Sequence, residues 1–199
     1  MAEDRGRLTT GSTRWVAITA TMTALAIVGN YSVVFIPNVE FGTIVLFLTA
    51  YIFGLQMAFW STLITSIVFG TLNPWGGFIP SIWLSQVIGW IYVVIAGSIV
   101  GQPRKSVYKE LFSPIEIGCI GLVVTAIFDF VTNIGYSLTF SVPFLIALVA
   151  GLPFMIVHVV SNAILFASVV PRLHRVISEQ FNLALAEVEN KSLTLEGEE

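Results

Sequence analysis

Residues 41–72 read FGTIVLFLTAYIFGLQMAFWSTLITSIVFGTL, and the number of helices in this stretch decides the fold. The stretch is too long for one membrane-spanning helix, which needs about 20 apolar residues. It is short for two full spans at about 1.5 Å rise per residue. Hydropathy alone therefore leaves open whether these residues form one span or a hairpin of two.

The rest of the chain has the composition of a membrane protein. Of its 199 residues, 56% are hydrophobic and 11% are charged, whereas about a quarter of the residues of a soluble domain are charged. Four further apolar runs have the length of one span each. They cover residues 15–36, 81–101, 114–136 and 152–170.

The positions of the Lys and Arg residues decide the number of spans. Basic residues gather in short cytoplasmic loops. If residues 41–72 formed one span, the basic loop at 104–109 would lie on the opposite side of the membrane from the basic N-terminal segment. A helical hairpin that breaks near Gly54, Leu55 and Gln56 removes this conflict. We therefore expect an all-α, six-transmembrane-helix bundle in the plasma membrane, with both termini cytoplasmic.

This topology divides the chain into three parts. We expect a cytoplasmic N-terminal segment over residues 1–14, a six-helix membrane domain over residues 15–171 and a cytoplasmic C-terminal tail over residues 172–199. The outer connections then hold no basic residue, and their Pro, Gly and Asn content is typical of turns. These connections are predicted at residues 37–40, 73–80 and 137–150.

Polar side chains inside the predicted spans fall at one depth. An unpaired polar group in hydrocarbon is costly, so such side chains face the bundle interior, a partner or a cavity. Counted from the predicted helix ends, four of them lie about 8–10 Å below the outer surface. They are Asn30, Gln86, Asp129 and His158. We predict that they line one cavity open to the outer face, and a lone carboxylate makes Asp129 the strongest candidate.

Six further residues lie on the same helix faces or in the predicted outer loops, and we predict that they extend this cavity. They are Glu40, Trp75, Trp83, Asn133, Tyr136 and Asn162. A packing role remains open, because Asn and Gln also form hydrogen bonds between helices and Trp also anchors at membrane interfaces. His158 is either part of the cavity or a bonding partner of Asp129 or Asn162.

A stripe of small residues marks the first predicted helix. Ala17, Ala20 and Ala24 are spaced by three and four residues, so they lie on one side of the helix. Small side chains let a second helix approach closely. That helix belongs either to this bundle or to another protein, and the sequence leaves both open.

Several classes of chemistry lack their sequence patterns. One Cys and two separated His give no metal-ligand spacing. The phosphate-binding loop of ATPases, the zinc-protease helix and the serine-hydrolase elbow are absent. No basic, aromatic patch suggests nucleic acid. We therefore expect no enzyme activity, no cofactor, no metal and no nucleic-acid partner, only the lipid bilayer and a small solute.

Taken together, the sequence resembles a substrate-binding S component of an energy-coupling factor (ECF) transporter over residues 15–170. Six helices with cytoplasmic ends and an Ala20-x-x-x-Ala24 pattern are similar to that family. More specific similarities lie in four segments. They are Pro37-Asn38-Val39-Glu40, Asn73-Pro74-Trp75-Gly76, Asp129-Phe-Val-Thr132-Asn133-Ile-Gly135 and Pro153-Phe-x-x-x-His158-x-x-Ser161-Asn162.

The resemblance implies high-affinity capture of a micronutrient, a vitamin or its precursor, near the outer face. It also implies two cytoplasmic ATPases and a transmembrane coupling subunit, which meets the stripe of Ala17, Ala20 and Ala24. Metal is disfavoured as the substrate. Two other functions stay open: a scaffold subunit whose polar residues only bond to each other, and a stand-alone secondary carrier with Asp129 as its proton site.

Overall fold

A computed structural model describes residues 10–74, 76–101 and 112–196, and the side chains of that part up to Gln180. Within these ranges the regular secondary structure is all helical, with no strand. The six helices are α1 (Thr13–Ser32), α2 (Phe41–Phe53), α3 (Leu55–Thr71), α4 (Pro80–Gly101), α5 (Pro114–Phe140) and α6 (Phe144–Glu196).

The predicted break in residues 41–72 is confirmed. Gly54 is the one residue between α2 and α3, and its φ of 94° is a conformation that residues with a Cβ rarely adopt. The long apolar stretch therefore forms two helices, which gives six in all.

Contacts within the first half of the bundle show how these helices run. Asn30 near the end of α1 accepts a hydrogen bond from the backbone N–H of Gly42 at the start of α2, over 2.7 Å. Thr23 bonds to Ser61, and Tyr31 bonds to the carbonyl of Leu72 further along both helices. Hence α1 is antiparallel to α2 and parallel to α3, and the chain reverses direction at Gly54.

The second half continues the same alternation. Between α2 and α4, the residue numbers of contacting pairs rise together, so these helices are parallel. Between α4 and α5, and between α5 and α6, one number rises as the other falls, so these helices are antiparallel. Helices α1, α3 and α5 therefore run one way, and α2, α4 and α6 run the other. We call the end formed by residues 33–40, 72–79 and 141–143 the turn end.

Helix α2 is the centre of the bundle. Residues 42–50 are all buried, and the helix contacts α1, α3, α4 and α6. Its 13 residues span about 20 Å, against about 33 Å for the 22 residues of α4. Asn30 satisfies the peptide N–H of Gly42 in its first turn, which helps α2 to start inside the bundle.

Close backbone packing fixes α4 against this central helix. A Cβ at Gly97 would lie 2.6 Å from the carbonyl oxygen of Phe47. Only glycine lets α4 approach α2 this closely, as is common where helices pack inside membranes.

The predicted outer connection at residues 137–150 is wrong. Helix α5 continues to Phe140 and α6 begins at Phe144, before the predicted start at 152. Ser141 adopts a left-handed conformation, and the Ser137 hydroxyl donates to the carbonyl of Val142 over 2.7 Å. This compact cap closes the turn within three residues, so the apolar residues that follow are free to extend α6.

Helix α6 continues past residue 171 to Glu196, so the predicted C-terminal tail begins inside a helix. The predicted N-terminal segment lies mostly outside the described residues. By length and composition, α4, α5 and the part of α6 over residues 144–180 are suited to cross a membrane, and α2 and α3 are shorter apolar helices. Crossing by all six helices and the side of the termini stay predictions.

Candidate functional site

A buried, hydrogen-bonded pair of Asp129 and His158 joins α5 and α6. Oδ1 of Asp129 and Nδ1 of His158 lie 2.7 Å apart, with side-chain exposures of 11% and 5%. The second atoms of both groups, Oδ2 and Nε2, are buried without a hydrogen-bond partner among the described residues. Buried polar atoms are normally satisfied, so both atoms have capacity for a further hydrogen bond, as do four other buried atoms of the described residues, on Asn30, Thr62, Thr65 and Asn162.

Polar and aromatic side chains surround the pair. The backbone carbonyl of Asp129 accepts hydrogen bonds from the Asn133 amide, over 2.8 Å, and from the Thr132 hydroxyl, over 3.0 Å. The ring of Phe128 meets the ring of His158 edge to face, with 5.9 Å between their centroids. Asp129 borders the space between the two helices, and His158 lies behind it.

The first connection reaches this pair from the other side of the bundle. Asn38 adopts a left-handed conformation with φ 60°, and its carbonyl oxygen accepts a hydrogen bond from Ser161 of α6 over 2.9 Å. Ser161 lies one turn beyond His158. Residues 33–40 are thereby anchored to α6 beside the Asp129–His158 pair.

A second carboxylate stands at the start of α2. Glu40 precedes the first residue of the helix, and its Oε2 accepts a hydrogen bond from Thr43 over 2.7 Å. The indole of Trp90 donates in turn to the Thr43 hydroxyl over 3.1 Å. The Glu40 carboxylate is thereby linked to α4 through Thr43.

Two hollows open beside these groups. The α5–α6 hollow has a volume of about 440 Å³, within the range of about 300–1,000 Å³ typical of small-molecule sites. Its wall comprises Asn38, Ile82, Asp129, Thr132, Asn133, Tyr136, Ala147, Ala150, Gly151, Phe154 and Met155. The wall thus combines a carboxylate, amides and a hydroxyl with apolar and aromatic side chains.

The loop hollow has a volume of about 300 Å³ and lies under residues 33–40. Its wall comprises Asn30, Val34, Ile36, Pro37, Asn38, Val39, Glu40, Phe69 and Asn73. Asn38 belongs to both walls, so the two hollows lie side by side, with the segment around Asn38 between them.

The chemistry of these walls suits an uncharged or positively charged polar molecule with flat rings. Tyr136 and Phe154 expose 47% and 61% of their surface and offer faces for stacking. Asp129 and Asn133 offer hydrogen bonds beside them. Among the described residues, no group of three or more His, Cys, Asp and Glu could hold a metal ion.

The remaining predicted site residues lie elsewhere. Asn30 is 3% exposed and binds Gly42 while bordering the loop hollow. The indole of Trp83 donates to the carbonyl of Ser66 between α4 and α3, and Asn162 donates to a threonine of α5 from a fully buried position. Gln86 is half-buried and borders neither hollow. Trp75 lies outside the described residues. Ligand contacts at these positions stay predictions.

The depths counted from the sequence rested on helix ends that are wrong for α5 and α6. Asp129 lies 11 residues, or about 16 Å, before the end of α5, which is deeper than expected. The extra length of α6 supplies wall residues that the sequence placed in a loop, such as Ala147 and Ala150. The sequence also gave no indication of the left-handed backbone of Asn38, although the segment Pro37-Asn38-Val39-Glu40 was among those similar to the family.

The alanine stripe faces outward. Ala17, Ala20 and Ala24 are all exposed on α1, and the neighbouring Val16 and Val28 are exposed as well. The stripe is therefore not used to pack helices of the described part of this chain.

Comparison with known proteins assigns the chain to a family. A family model described as "ECF-type riboflavin transporter, S component" matches residues 10–175, which include both hollows and α1. A search of curated proteins and a search of solved structures give no match. The predicted resemblance is confirmed, and with it a membrane transport role in place of an enzyme activity. The chain belongs to the ECF-type riboflavin transporter S component family, the membrane subunits that bind the substrate of an ECF transporter.

Proposed function

We propose that this protein captures riboflavin or a closely related flavin in the α5–α6 hollow at the outer face of the plasma membrane. The observation that carries the proposal is that hollow, bounded by a partly unsatisfied Asp129–His158 pair, in a chain of this family. A flavin has a flat three-ring system with a polar edge and a hydroxylated side chain. Aromatic faces and hydrogen-bonding groups are the complement that such a molecule requires.

Three side chains are assigned direct contacts. Tyr136 stacks on the ring system, and Asn133 and Asp129 bind the polar edge or the hydroxyl groups. His158 stands behind Asp129 and keeps its carboxylate oriented, because their hydrogen bond spans 2.7 Å. Glu40 and Asn30 border the adjoining loop hollow, which has room for the part of the ligand that extends past Asn38.

The six helices all cross the membrane in this proposal, with the turn end outside. Support comes from the alternating helix directions and from the basic residues. Arg14 at the start of α1 and Arg172 on α6 belong to the end opposite the turn end, and the basic residues at 104–109 follow the end of α4 in the sequence. Basic residues concentrate on the cytoplasmic side, so both termini are cytoplasmic.

Delivery of the bound vitamin is powered by a shared module. A transmembrane coupling subunit docks on the stripe of Ala17, Ala20 and Ala24, and two cytoplasmic ATPases drive the cycle. The exposure of all three alanines on α1 supports this docking site. Small side chains allow the close helix approach that such a contact between membrane subunits requires.

Titration of the purified protein with riboflavin tests the proposal. Quenching of flavin fluorescence is expected to saturate at one ligand per chain. Asn133→Ala is expected to weaken binding by about tenfold or more, because a hydrogen bond in the wall is lost. Ile134→Ala is the matched control, since the neighbouring side chain lies outside both hollows.

Absence of saturable flavin binding by the wild-type protein would refute the proposal. Mass spectrometry of small molecules retained during purification would then decide between another vitamin and a scaffold without a ligand. The scaffold function expects the polar groups of the bundle only to satisfy each other, and the two unsatisfied atoms of the Asp129–His158 pair argue against it.

A further inference from the structure

We infer that this site discriminates by charge: it accepts an uncharged solute and rejects the phosphorylated form of the same solute, with Glu40 and Asp129 as the selecting residues. The inference rests on the proposed function, and it names the class of substrate that the same site takes. It follows from which charged groups the chain places at the turn end.

Permanent cations are missing from every segment that reaches the turn end. The sequence contains no Lys or Arg between Arg14 and Arg104, nor between Lys109 and Arg172. These two intervals contain all of α2 to α5, the connections at the turn end and the part of α6 that borders the α5–α6 hollow. The site therefore has no guanidinium or ammonium group of its own to bind a phosphate, which proteins commonly hold with Arg or Lys.

Negative charge is present in both hollows instead. Asp129 borders the α5–α6 hollow and Glu40 borders the loop hollow. His158 is the one titratable base beside them, since the other histidine of the chain, His174, lies on α6 beyond the hollows. With both carboxylates ionised, the three groups together carry a charge of −1 if His158 is protonated and −2 if it is neutral. Neither protonation state makes the site positive.

The start of α2 offers no alternative anion site. Helix starts attract anions through their free N–H groups and their dipole. Here the N–H of Gly42 already bonds to Asn30, and the Glu40 carboxylate stands before the first residue of the helix. A ligand phosphate would have to displace a carboxylate that already occupies this position.

A phosphate monoester carries about −1.5 to −2 charges at neutral pH, so the ionised carboxylates of Glu40 and Asp129 repel it. Charges within a protein near a low-dielectric membrane interact several times more strongly than in water. The 5′-phosphate of riboflavin, FMN, is therefore expected to bind more than about a hundredfold more weakly than riboflavin. The uncharged 5′-acetate ester of riboflavin adds bulk at the same atom without charge, and it is expected to bind within about tenfold of riboflavin.

Competition titrations of the three flavins on the purified wild-type protein test the inference. Glu40→Gln is expected to reduce the ratio of riboflavin affinity to FMN affinity by about tenfold, because one repelling carboxylate is removed. Asp129→Asn is expected to narrow the same ratio. Glu179→Gln removes the same charge from an exposed position near the opposite end of the bundle and is expected to leave the ratio unchanged.

The possible outcomes separate this inference from the function it rests on. FMN binding as tightly as riboflavin would overturn the charge selection and leave riboflavin capture intact. If FMN and the acetate ester bind equally weakly, the discrimination depends on size, and the charge selection is overturned. An unchanged ratio of riboflavin to FMN affinity in Glu40→Gln would overturn it as well. If none of the flavins binds, the proposed function and the inference fall together. Glu40→Gln tests the inference alone should Asp129→Asn not fold.

Discussion

Replacement of Asp129 with asparagine keeps the size of the side chain and removes its charge. The hydrogen bond between Asp129 and His158 spans 2.7 Å in a buried setting, where a charge-assisted bond contributes about 1.5–3 kcal/mol and a neutral one about 1 kcal/mol. The same loss applies to a ligand that bonds to the second carboxylate oxygen, Oδ2. A difference of about 1.4 kcal/mol is tenfold in affinity, so Asp129→Asn is expected to weaken riboflavin binding by more than about tenfold.

Thr125→Val is the matched control for this substitution. Thr125 lies one turn before Asp129 on α5, borders neither hollow and accepts a hydrogen bond from Asn162 over 3.1 Å. Its loss is expected to destabilise the fold by about 1 kcal/mol and to leave the affinity unchanged. Fluorescence titration gives the affinity, and thermal unfolding of the same samples gives the stability.

Comparison of the two variants gives a clear decision. If Asp129→Asn lowers stability like Thr125→Val and binds riboflavin as the wild type does, the carboxylate is a packing group and not a ligand contact. If both variants lose affinity in proportion to stability, the effect is a general loosening of the α5–α6 contact. Only a selective loss in Asp129→Asn supports the assigned role.

Three further substitutions test the coupling face, the hollow and the topology. Ala20→Trp is expected to abolish energised uptake in cells with binding intact, because position 20 is exposed and the added bulk blocks only an approaching helix; normal uptake would remove the coupling role. Gly151→Ala is expected to lower riboflavin affinity by about tenfold, since its Cβ would lie 2.6 Å from Oδ1 of Asn133; unchanged affinity in a titration would show that Asn133 is not a contact. Ser106→Cys, with Cys119 replaced by Ser, is expected to resist a membrane-impermeant thiol reagent in intact cells, and labelling from outside would disprove six spans.

The sequence predicted the number and order of the helices because the deciding signals are local or additive. Apolar run length and the positions of basic residues gave the six helices, and Gly54 marked the break between two of them. The end of α5 was missed because Ser141 adopts a left-handed conformation, which Gly or Asn adopts more often than Ser. Apolar residues after a short turn look the same in a sequence whether they start a helix or form a loop.

The candidate site was predictable in its charges and less so in its shape. Asp129 stood out because a carboxylate inside an apolar run is costly, and its contact with His158 was among the alternatives. Gln86 and Trp83 lie on neighbouring faces of α4, but helix rotation decides which face borders a hollow, and that rotation depends on packing against α3 and α5. The contact between Asn38 and Ser161 joins residues 123 positions apart, which no local pattern encodes.

Because α2 is enclosed by other helices, the depth of the site does not depend on the thickness of the bilayer. A helix that faces lipid has to match the hydrocarbon layer in length, or tilt to fit it. Residues 42–50 of α2 face protein on all sides, so this helix is exempt from that match. One helical turn inserted or deleted near Glu40 would shift the start of α2 by about 5 Å. Bundles of this design can therefore fit larger or smaller solutes by changing the length of one internal helix, while the lipid-facing helices keep their fit to the membrane.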